Sequence, residues 1–295
     1  MVVRAVLLGT AAGGGFPQWN CACALCTAAR DGELPTRTQE CVAVSGNARD
    51  WWLLNASPDI GTQVTATTAL RPGPGPRDTP LRGVLLTDAE ADHSAGLTAL
   101  RGAAGLKVYA APPVLAVLAP VRAGLDRCAV WEWVDALTDG GFVLAGGLVV
   151  SAHPVGAEAP GYVAGAAPDD HWVIAYRVED LSTGGVLVYA PRVGAWSPVL
   201  DELLTEADCA LLDGTFYTAD ELDAIGGGPG KAAPGHLPVA GAHGSLAALA
   251  RHPGPRRIYT HLNNTNPLLD PASAARRQVT EAGAEVLADG AEFTL

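Results

Sequence analysis

The sequence predicts a layered α/β protein in which two sheets are covered by helices. Short β-branched or Leu-rich runs are followed by Ala/Leu-rich stretches of helical length, and the chain becomes strand-rich twice. The 295 residues are 48% apolar and 17% charged, a composition that buries a large core and excludes extensive disorder. We expect a single domain over residues 1–295, because the sequence shows no repeat of fixed period and no segment that resembles a domain linker.

The predicted elements follow one another along the whole chain. The predicted strands are Val2–Leu8, Cys41–Ser45, Trp51–Leu54, Val84–Thr87, Val143–Ala152, Trp172–Val178, Val186–Tyr189, Ala210–Asp213 and Arg257–His261. The predicted helices are Ala95–Arg101, Pro198–Glu206, Ala240–Arg251 and Pro271–Ala282. Two Pro/Gly-rich segments, Arg71–Pro80 and Gly226–Pro238, are predicted loops of the kind that forms lids or site walls.

The charge balance bears on the class of partner. Acidic residues outnumber Lys plus Arg by 31 to 19, which gives a formal net charge of −12. Nucleic acid or an anionic membrane would need a basic patch against this field, and the arginines are scattered along the sequence. The longest uncharged stretches are interrupted by Gly, Pro and polar residues. We therefore expect no nucleic-acid partner, no membrane partner or transmembrane helix, and a cytoplasmic location.

Three of the six cysteines crowd into one segment that follows a glycine-rich opening and Pro17. Cys21, Cys23 and Cys26 can wrap one soft ion, and tetrahedral zinc would need a fourth ligand from elsewhere. We interpret this cluster as a structural zinc site that holds its loop in shape. The alternative is a set of reduced thiols in a tight loop.

A second cluster of polar side chains begins where the predicted strand Val84–Thr87 ends. Asp88, Glu90 and Asp92 precede His93, and a predicted helix follows. Ligands at the end of a strand are held by a rigid scaffold, and adjacent Asp92 and His93 could offer an oxygen and a nitrogen to one divalent ion. The alternative is helix capping by Asp88 or Asp92, with the other side chains in solvent.

A third segment places His261 at the end of a predicted strand and before the polar loop Leu262–Pro267. Taken alone, this pattern is also typical of a core or surface histidine that precedes an Asn-rich turn. A metal-ligand role for His261 therefore depends on what the other motifs imply.

The motifs together resemble those of the PqqB family of pyrroloquinoline quinone biosynthesis, within the metallo-β-lactamase superfamily. They lie at Ala11–Cys21, Asn55–Asp59, Thr87–His93, Tyr189–Pro191, Ala207–Phe216, Gly235–Pro238 and His261–Pro267, and so extend over nearly the whole chain. The resemblance implies a four-layer αβ/βα metallo-β-lactamase-like sandwich.

The resemblance also implies a ligand set. The superfamily motif is usually His-x-His-x-Asp-His, so Asp88 and Glu90 stand where the first metal site would have histidines, and we expect that site to be lost. Asp92, His93 and His261 match the ligands of the second site. Two histidines and one carboxylate suit non-haem Fe(II) with open positions. Because both segments are apolar strands that end in polar loops, we expect them to meet at one sheet edge.

Two further positions differ from related enzymes. A bridging aspartate of the superfamily is replaced by Pro191 or Arg192, which disfavours a two-metal hydrolase. Related phosphodiesterases carry their fourth zinc ligand three residues after the late histidine. Asn264 occupies that position here and is a poor zinc ligand, so the fourth ligand of the cysteine site stays open.

The activity that the resemblance implies is an iron-dependent, oxygen-using hydroxylation. Its substrates would be dioxygen and a tyrosine-derived ring in the small amino-acid-derived precursor of pyrroloquinoline quinone. His236 is a candidate acid/base or substrate contact, with simple loop packing as the alternative. Asp88 and Glu90 are candidates to orient the ligands or to bind a substrate amine.

Two other functions stay open at this stage. One is a zinc hydrolase that uses the same ligands to attack a phosphate or acyl centre. The other is a non-catalytic carrier that transports the quinone or its precursor. The sequence does not determine the oligomeric state, and a homodimer is kept open.

Overall fold

Two seven-stranded sheets run through the computed structural model, which describes residues 2–163, 165–167, 169–222 and 235–295. In chain order the strands are β1 (Arg4–Gly9), β2 (Cys41–Ser45), β3 (Trp51–Leu54), β4 (Leu81–Leu85), β5 (Lys107–Ala110), β6 (Glu132–Asp135), β7 (Phe142–Leu144), β8 (Leu148–Gly156), β9 (Val173–Asp180), β10 (Val186–Ala190), β11 (Cys209–Asp213), β12 (Arg256–Thr260), β13 (Ala284–Val286) and β14 (Glu292–Thr294). This arrangement agrees with the predicted pair of covered sheets.

The two sheets have matching topologies. The first has the order β14-β1-β2-β3-β4-β5-β6 and the second the order β13-β12-β11-β10-β9-β8-β7. In the first sheet the strands from β3 to β6 are parallel, and in the second the strands from β10 to β13 are parallel. Each sheet therefore has an edge where the carboxyl ends of several parallel strands meet, which is where ligand sites form in α/β proteins.

Helices cover the sheets. They are α1 (Ala24–Arg30), α2 (Ile60–Ala66), α3 (Ala91–Ser94), α4 (Pro112–Val117), α5 (Ala119–Leu125), α6 (Pro198–Glu206), α7 (Ser245–Leu249) and α8 (Ala274–Glu281). Two of them begin at a serine that accepts a backbone hydrogen bond, Ser197 from Leu200 N at 3.4 Å and Ser273 from Arg276 N at 3.0 Å. In the described part of the chain, no helix has the length and hydropathy needed to cross a bilayer.

Strand β10 shows how the layers pack. Leu187 and Tyr189 belong to the core cluster that joins the two sheets, whereas Val188 and Ala190 belong to a second cluster with the buried leucines of α6. All four side chains are buried. Because successive side chains of a strand point to opposite faces, one sheet takes part in both an inner and an outer core.

The predicted strands at Cys41–Ser45 and Trp51–Leu54 have the observed bounds. The predicted strand Val143–Ala152 is wrong as a single element, because it contains the turn between β7 and β8. Gly146 and Gly147 form that turn with φ angles of 98° and 83°, which residues with a side chain rarely adopt.

Several short elements have no counterpart among the predictions. Strands β5, β6, β13 and β14 are three or four residues long and contain charged residues. Helix α1 lies in the segment predicted to be a loop, and the predicted helix Ala95–Arg101 begins earlier, as α3 followed by a 3-10 turn at Ala95–Thr98. The predicted helix Ala240–Arg251 is shorter and begins only at Ser245. Elements of this length depend on tertiary neighbours more than on local propensity.

The loop Arg71–Pro80 forms part of the wall of a cavity of about 780 Å³. Arginines that are distant in sequence meet there, namely Arg49, Arg71, Arg77 and Arg82. The scattered distribution expected from the sequence therefore does not describe their positions in space. Of the second predicted loop, Gly226–Pro238, residues 226–234 lie outside the described residues.

Candidate metal centre at the carboxyl edges of the two sheets

The side chains of the candidate centre come from both sheets, so the expectation that the strands before His93 and His261 meet at one sheet edge is wrong. Asp88 and His93 follow β4 of the first sheet, with His93 on the short helix α3. Asp213 ends β11 and His261 directly follows β12 in the second sheet. His261 has a φ of 58°, a left-handed backbone conformation that is uncommon for residues other than glycine. The backbone therefore turns away from β12 at His261, and the side chain of this residue lies in the candidate centre.

The structure brings Asp92, His93 and His261 together. One ligand atom from each lies within 4.8 Å of the others, and Asp92 Oδ2 is 3.1 Å from His261 Nε2. The rings of His93 and His261 meet edge to face, with centroids 5.0 Å apart. His93 Nε2 is buried and has no hydrogen-bond partner among the residues that the structure describes. A carboxylate and two imidazoles with an unpaired buried nitrogen fit a divalent cation.

Asp88 contacts the Nδ1 side of His93 and does not belong to the group formed by Asp92, His93 and His261. Its two carboxylate oxygens are 2.9 and 2.8 Å from His93 Nδ1. The Thr87 hydroxyl and the Glu90 backbone N–H donate to Asp88 at 2.9 and 2.8 Å. A carboxylate at Nδ1 fixes the ring and its tautomer, which leaves Nε2 directed to the other two ligand residues.

The electrostatics of these groups also favour a cation. Burial alone would raise the pKa of Asp88, but the charge and hydrogen bond of His93 lower it to about 2. For His93, burial lowers the pKa and is outweighed by Asp88 and Asp92, which raise it to about 10. The pKa of Asp92 is lowered because His93 and His261 outweigh its burial. The buried carboxylates thus favour a positive charge at this centre, and a divalent ion supplies one.

A second pair of interacting side chains lies next to His261. Asp213 Oδ2 is 2.8 Å from His236 Nδ1, and the rings of His236 and His261 stack with centroids 5.3 Å apart. Thr215 Oγ1 lies 2.9 Å from His236 Nδ1 and 2.7 Å from His261 Nδ1. Asp213, His236 and His261 also satisfy the geometry of a metal-ligand group. The structure thus places His236 beside the centre, in contact with residues that orient it.

Asp213 and Thr215 were not identified from the sequence. Both belong to the motif Ala207–Phe216 on which the family resemblance partly rests, and Asp213 ends a predicted strand as Thr87 does. A carboxylate at the end of a buried strand was therefore a usable signal. What the sequence does not show is that β11 and β12 are neighbours, which sets Asp213 beside Thr260 in the ladder and next to His261.

Glu90 and Arg192 form an ion pair at the centre. Glu90 Oε1 is 3.2 Å from Arg192 Nη2, and the Arg192 side chain is only 5% exposed. Glu90 does not contact the ligand residues in the way that Asp88 does; burial raises the pKa of its carboxyl. Pro191, the other residue considered at the bridging position, directly follows β10.

The three clustered cysteines also converge. One sulfur from each of Cys21, Cys23 and Cys26 lies within 4.8 Å of the others. The buried Asn264 contacts them, with Nδ2 3.3 Å from Cys26 Sγ and 3.9 Å from Cys23 Sγ. Burial raises the pKa of Cys23 to about 11, so a thiolate there needs a cation. Asn264, which contacts the cysteines, follows His261 of the Asp92 centre by three residues, so the two sites share one loop.

Comparison with known proteins adds to this geometry. Residues 50–262 match the family described as a beta-lactamase superfamily domain. The "Coenzyme PQQ synthesis protein B" of Methylococcus capsulatus is 39% identical over 310 residues, which cover 100% of both chains. The protein of the same name from Klebsiella pneumoniae is 38% identical and covers 98% of this chain and 97% of its own.

Solved structures are similar to this chain over nearly its whole length. The Zn²⁺-bound PqqB from Methylobacterium extorquens has a TM-score of 0.90 and 34% identity, covering 99% of this chain and 100% of its own. A diphosphatase from the PhnP family has a TM-score of 0.72 and 19% identity, covering 100% and 98%, and shows the likeness of fold alone. The fold predicted from the motifs, the metallo-β-lactamase sandwich, is confirmed.

Proposed function

The chain belongs to the coenzyme PQQ synthesis protein B family of the beta-lactamase superfamily, and from this premise we propose that it hydroxylates a tyrosine-derived ring in a precursor of pyrroloquinoline quinone. Involvement in PQQ biosynthesis follows from membership of the family, and the superfamily supports a metal-dependent enzyme. The finer step, an iron-dependent reaction, rests on one observation: the donor set of Asp92, His93 and His261. Two histidines and one carboxylate with open positions are typical of non-haem Fe(II) oxygenases.

Iron bound at these residues would supply the activation of dioxygen. One oxygen atom enters a ring C–H bond and the other leaves as water, so two electrons and two protons come from an external reductant. Asp88 keeps the proton of His93 at Nδ1, and Asp92 and His261 hold the remaining donors at close range. These residues therefore hold the ligand set in place before substrate arrives.

We propose that His236 acts as the acid/base group of the reaction. Asp213 accepts a hydrogen bond from Nδ1–H of this ring. This leaves Nε2 as the atom that takes a proton from the substrate phenol or returns one to it. The Thr215 hydroxyl contacts both His236 and His261, so it sets the orientation of the two rings relative to each other. Removal of His236 should lower turnover and leave metal content unchanged.

The proposal is tested with protein that is freed of metal and then loaded with Fe(II) without oxygen. Oxygen uptake is measured with the precursor and ascorbate as reductant. We expect uptake in the parent and in His171→Ala, whose ring is 48% exposed and pairs with Asp169. We expect no uptake in His261→Ala, because it lacks one of three ligands. Oxygen consumption that is equal in the two variants would contradict the proposal.

Zinc hydrolysis at the same ligands is the second candidate, because the similar PqqB structure from Methylobacterium extorquens is Zn²⁺-bound. Turnover of ester or phosphodiester substrates by zinc-loaded protein without oxygen would favour it. Tight binding of precursor with no turnover under any metal would favour the carrier. The cysteine cluster is proposed to hold a separate structural zinc in all three cases.

A further inference from the structure

Arg192 is a buried cation whose hydrogen-bonding capacity is not used. Its side chain is 5% exposed, and its Nε and Nη1 atoms have no hydrogen-bond partner in the described part of the chain. Among the described residues, its one ion pair is the 3.2 Å contact of Nη2 with Glu90. A buried guanidinium with unused donors costs free energy unless an anion completes its hydrogen bonding.

The guanidinium lies close to the chain next to two residues of the candidate centre. Its Nη2 atom pairs with Glu90, two residues before Asp92. It is also close to Gly235, next to His236: a Cβ placed on Gly235 would be 2.9 Å from Arg192 Nη2 and 3.1 Å from Nε. The glycine therefore lets the backbone approach the guanidinium closely.

The segment that carries Arg192 is held by the same groups that hold His236. The Val193 backbone N–H donates to Asp213 Oδ2 at 2.8 Å, and Asp213 Oδ2 is also the partner of His236 Nδ1. Leu237 N donates to Val193 O at 2.6 Å. The backbone next to Arg192 is thus held by the residues that contact His236.

Glu90 lies on the solvent side of the ion pair. Its side chain is 28% exposed, against 5% for Arg192, so Glu90 can turn toward water while Arg192 stays where it is. Glu158 also faces Gly235, with Oε2 2.7 Å from the position of a Cβ there, but the described ion pairs do not include one between Glu158 and Arg192. Glu90 is thus the carboxylate that an incoming anion would replace.

We propose that Arg192 binds the carboxylate of an amino-acid-derived substrate, and that Glu90 occupies this position until the substrate displaces it. The planar guanidinium matches a carboxylate through two parallel N–H···O bonds, which lysine cannot form. The inference rests on the proposed function only in that the substrate is a carboxylate-bearing phenol. It makes Arg192 a specificity-determining residue that anchors the substrate beside the metal ligands.

The test is a binding measurement with zinc-loaded protein, without oxygen or reductant. The probes are 3-(4-hydroxyphenyl)propionate and its primary amide, which differ in the negative charge of the carboxylate. Isothermal titration should show that the parent binds the acid about tenfold or more tightly than the amide. Arg192→Gln should remove this preference. Glu90→Gln should instead bind the acid several-fold more tightly than the parent, because it lacks the competing carboxylate.

The opposite effects of the two substitutions distinguish an anchor from a structural ion pair. Equal binding of acid and amide by the parent, or no binding of either, would overturn the proposal. So would a loss of acid binding in Glu90→Gln as large as that in Arg192→Gln. Arg192→Lys keeps the charge and should retain part of the preference, which provides the comparison should Arg192→Gln fail to fold. Because no turnover is measured, failure of the hydroxylase proposal would leave these results unaffected.

Discussion

At the scale of single residues, Asp88 stands where the superfamily motif would have a histidine, and it contacts a neighbouring histidine instead. It is buried, and both of its carboxylate oxygens lie within 2.9 Å of His93 Nδ1, so it faces the candidate ligand His93 from the side away from Nε2. Its carboxylate is held in turn by Thr87 and by the Glu90 backbone N–H. The sequence prediction that Asp88 orients a ligand is consistent with this position and stays a prediction of role.

Asp88→Ala should lower metal affinity by about 10–100-fold, because outer partners of ligand histidines typically contribute that much. The loss should be smaller than in His261→Ala, which removes a ligand. Competition with a chromophoric chelator measures both. Asp169→Ala is the matched control, since Asp169 forms the same type of pair with His171 at the surface, at 2.7 Å. Equal affinities for Asp88→Ala and Asp169→Ala would show that Asp88 does not hold His93.

Glu40 should make stability depend on pH. Burial raises the pKa of this carboxyl from 4.5 to about 8, although a hydrogen bond from the Tyr189 hydroxyl opposes the shift. A carboxyl with a raised folded-state pKa stabilises the fold below pH 4.5, and that contribution is lost as pH rises toward 8. Glu40→Gln should therefore be as stable as the parent near pH 4.5 and more stable at pH 8, by up to about 4 kcal/mol.

Urea unfolding of the parent and Glu40→Gln between pH 4.5 and 8.5 checks this sign. The exposed Glu33→Gln provides the control for loss of one negative charge. A difference between parent and Glu40→Gln that does not grow with pH would mean that Glu40 is ionised in the folded protein throughout this range.

At the scale of elements, helix α1 and the loop after β12 are joined by the cysteine cluster. Cys23 and Cys26 contact Asn264, which lies in the loop that begins with His261. A zinc ion at the sulfurs would thus tie the N-terminal loop to the segment that carries the candidate ligand His261. The helix itself has seven residues, and in the described structure the side chain of its N-cap residue, Cys23, accepts no hydrogen bond from the first turn, so tertiary contacts hold it.

Cys23→Ser should lower zinc content by about one ion per chain and lower the thermal unfolding temperature before it changes turnover. Metal analysis of freshly reduced protein and calorimetry measure the two effects. Cys128→Ser is the matched control, because Cys128 is exposed and lies outside the cluster. If freshly reduced parent protein holds no zinc beyond that bound at the Asp92 centre, the cluster is a set of free thiols.

At the scale of the whole molecule, the candidate metal centre joins the two sheets. Asp92 and His93 follow β4 of the first sheet, and His261 follows β12 of the second. A metal bound by all three is therefore a cross-link between the two halves of the sandwich. Its binding free energy adds to folding, because the unfolded chain does not hold these ligands together.

Addition of zinc or Fe(II) to metal-free protein should raise the free energy of unfolding, by about 2.7 kcal/mol for each site at one hundred times its dissociation constant. Thermal unfolding in chelator and in excess metal measures the increase. In His261→Ala the increase should fall to what the cysteine cluster alone contributes, whereas His171→Ala should behave as the parent. An equal increase in both variants would contradict a bridging metal at His261.

The layered fold, the family and the residue types of the candidate metal centre follow from the sequence, and the fold and family are confirmed. Each rests on local information: buried strands have dense β-branched runs, and the family motifs are short continuous segments such as Thr87–His93. Short strands such as β13 and β14 do not follow from it, because three residues form a strand only beside a paired neighbour.

Only the tertiary structure decided which residues meet. It places His261 beside His93 across 168 positions of sequence, sets Thr215 between two histidines, and buries Arg192 with donors that nothing in the described chain accepts. The reason is that burial and contact depend on the order of strands in each sheet and on how the sheets face each other. Those are properties of the packed chain, and a local pattern of residues does not carry them.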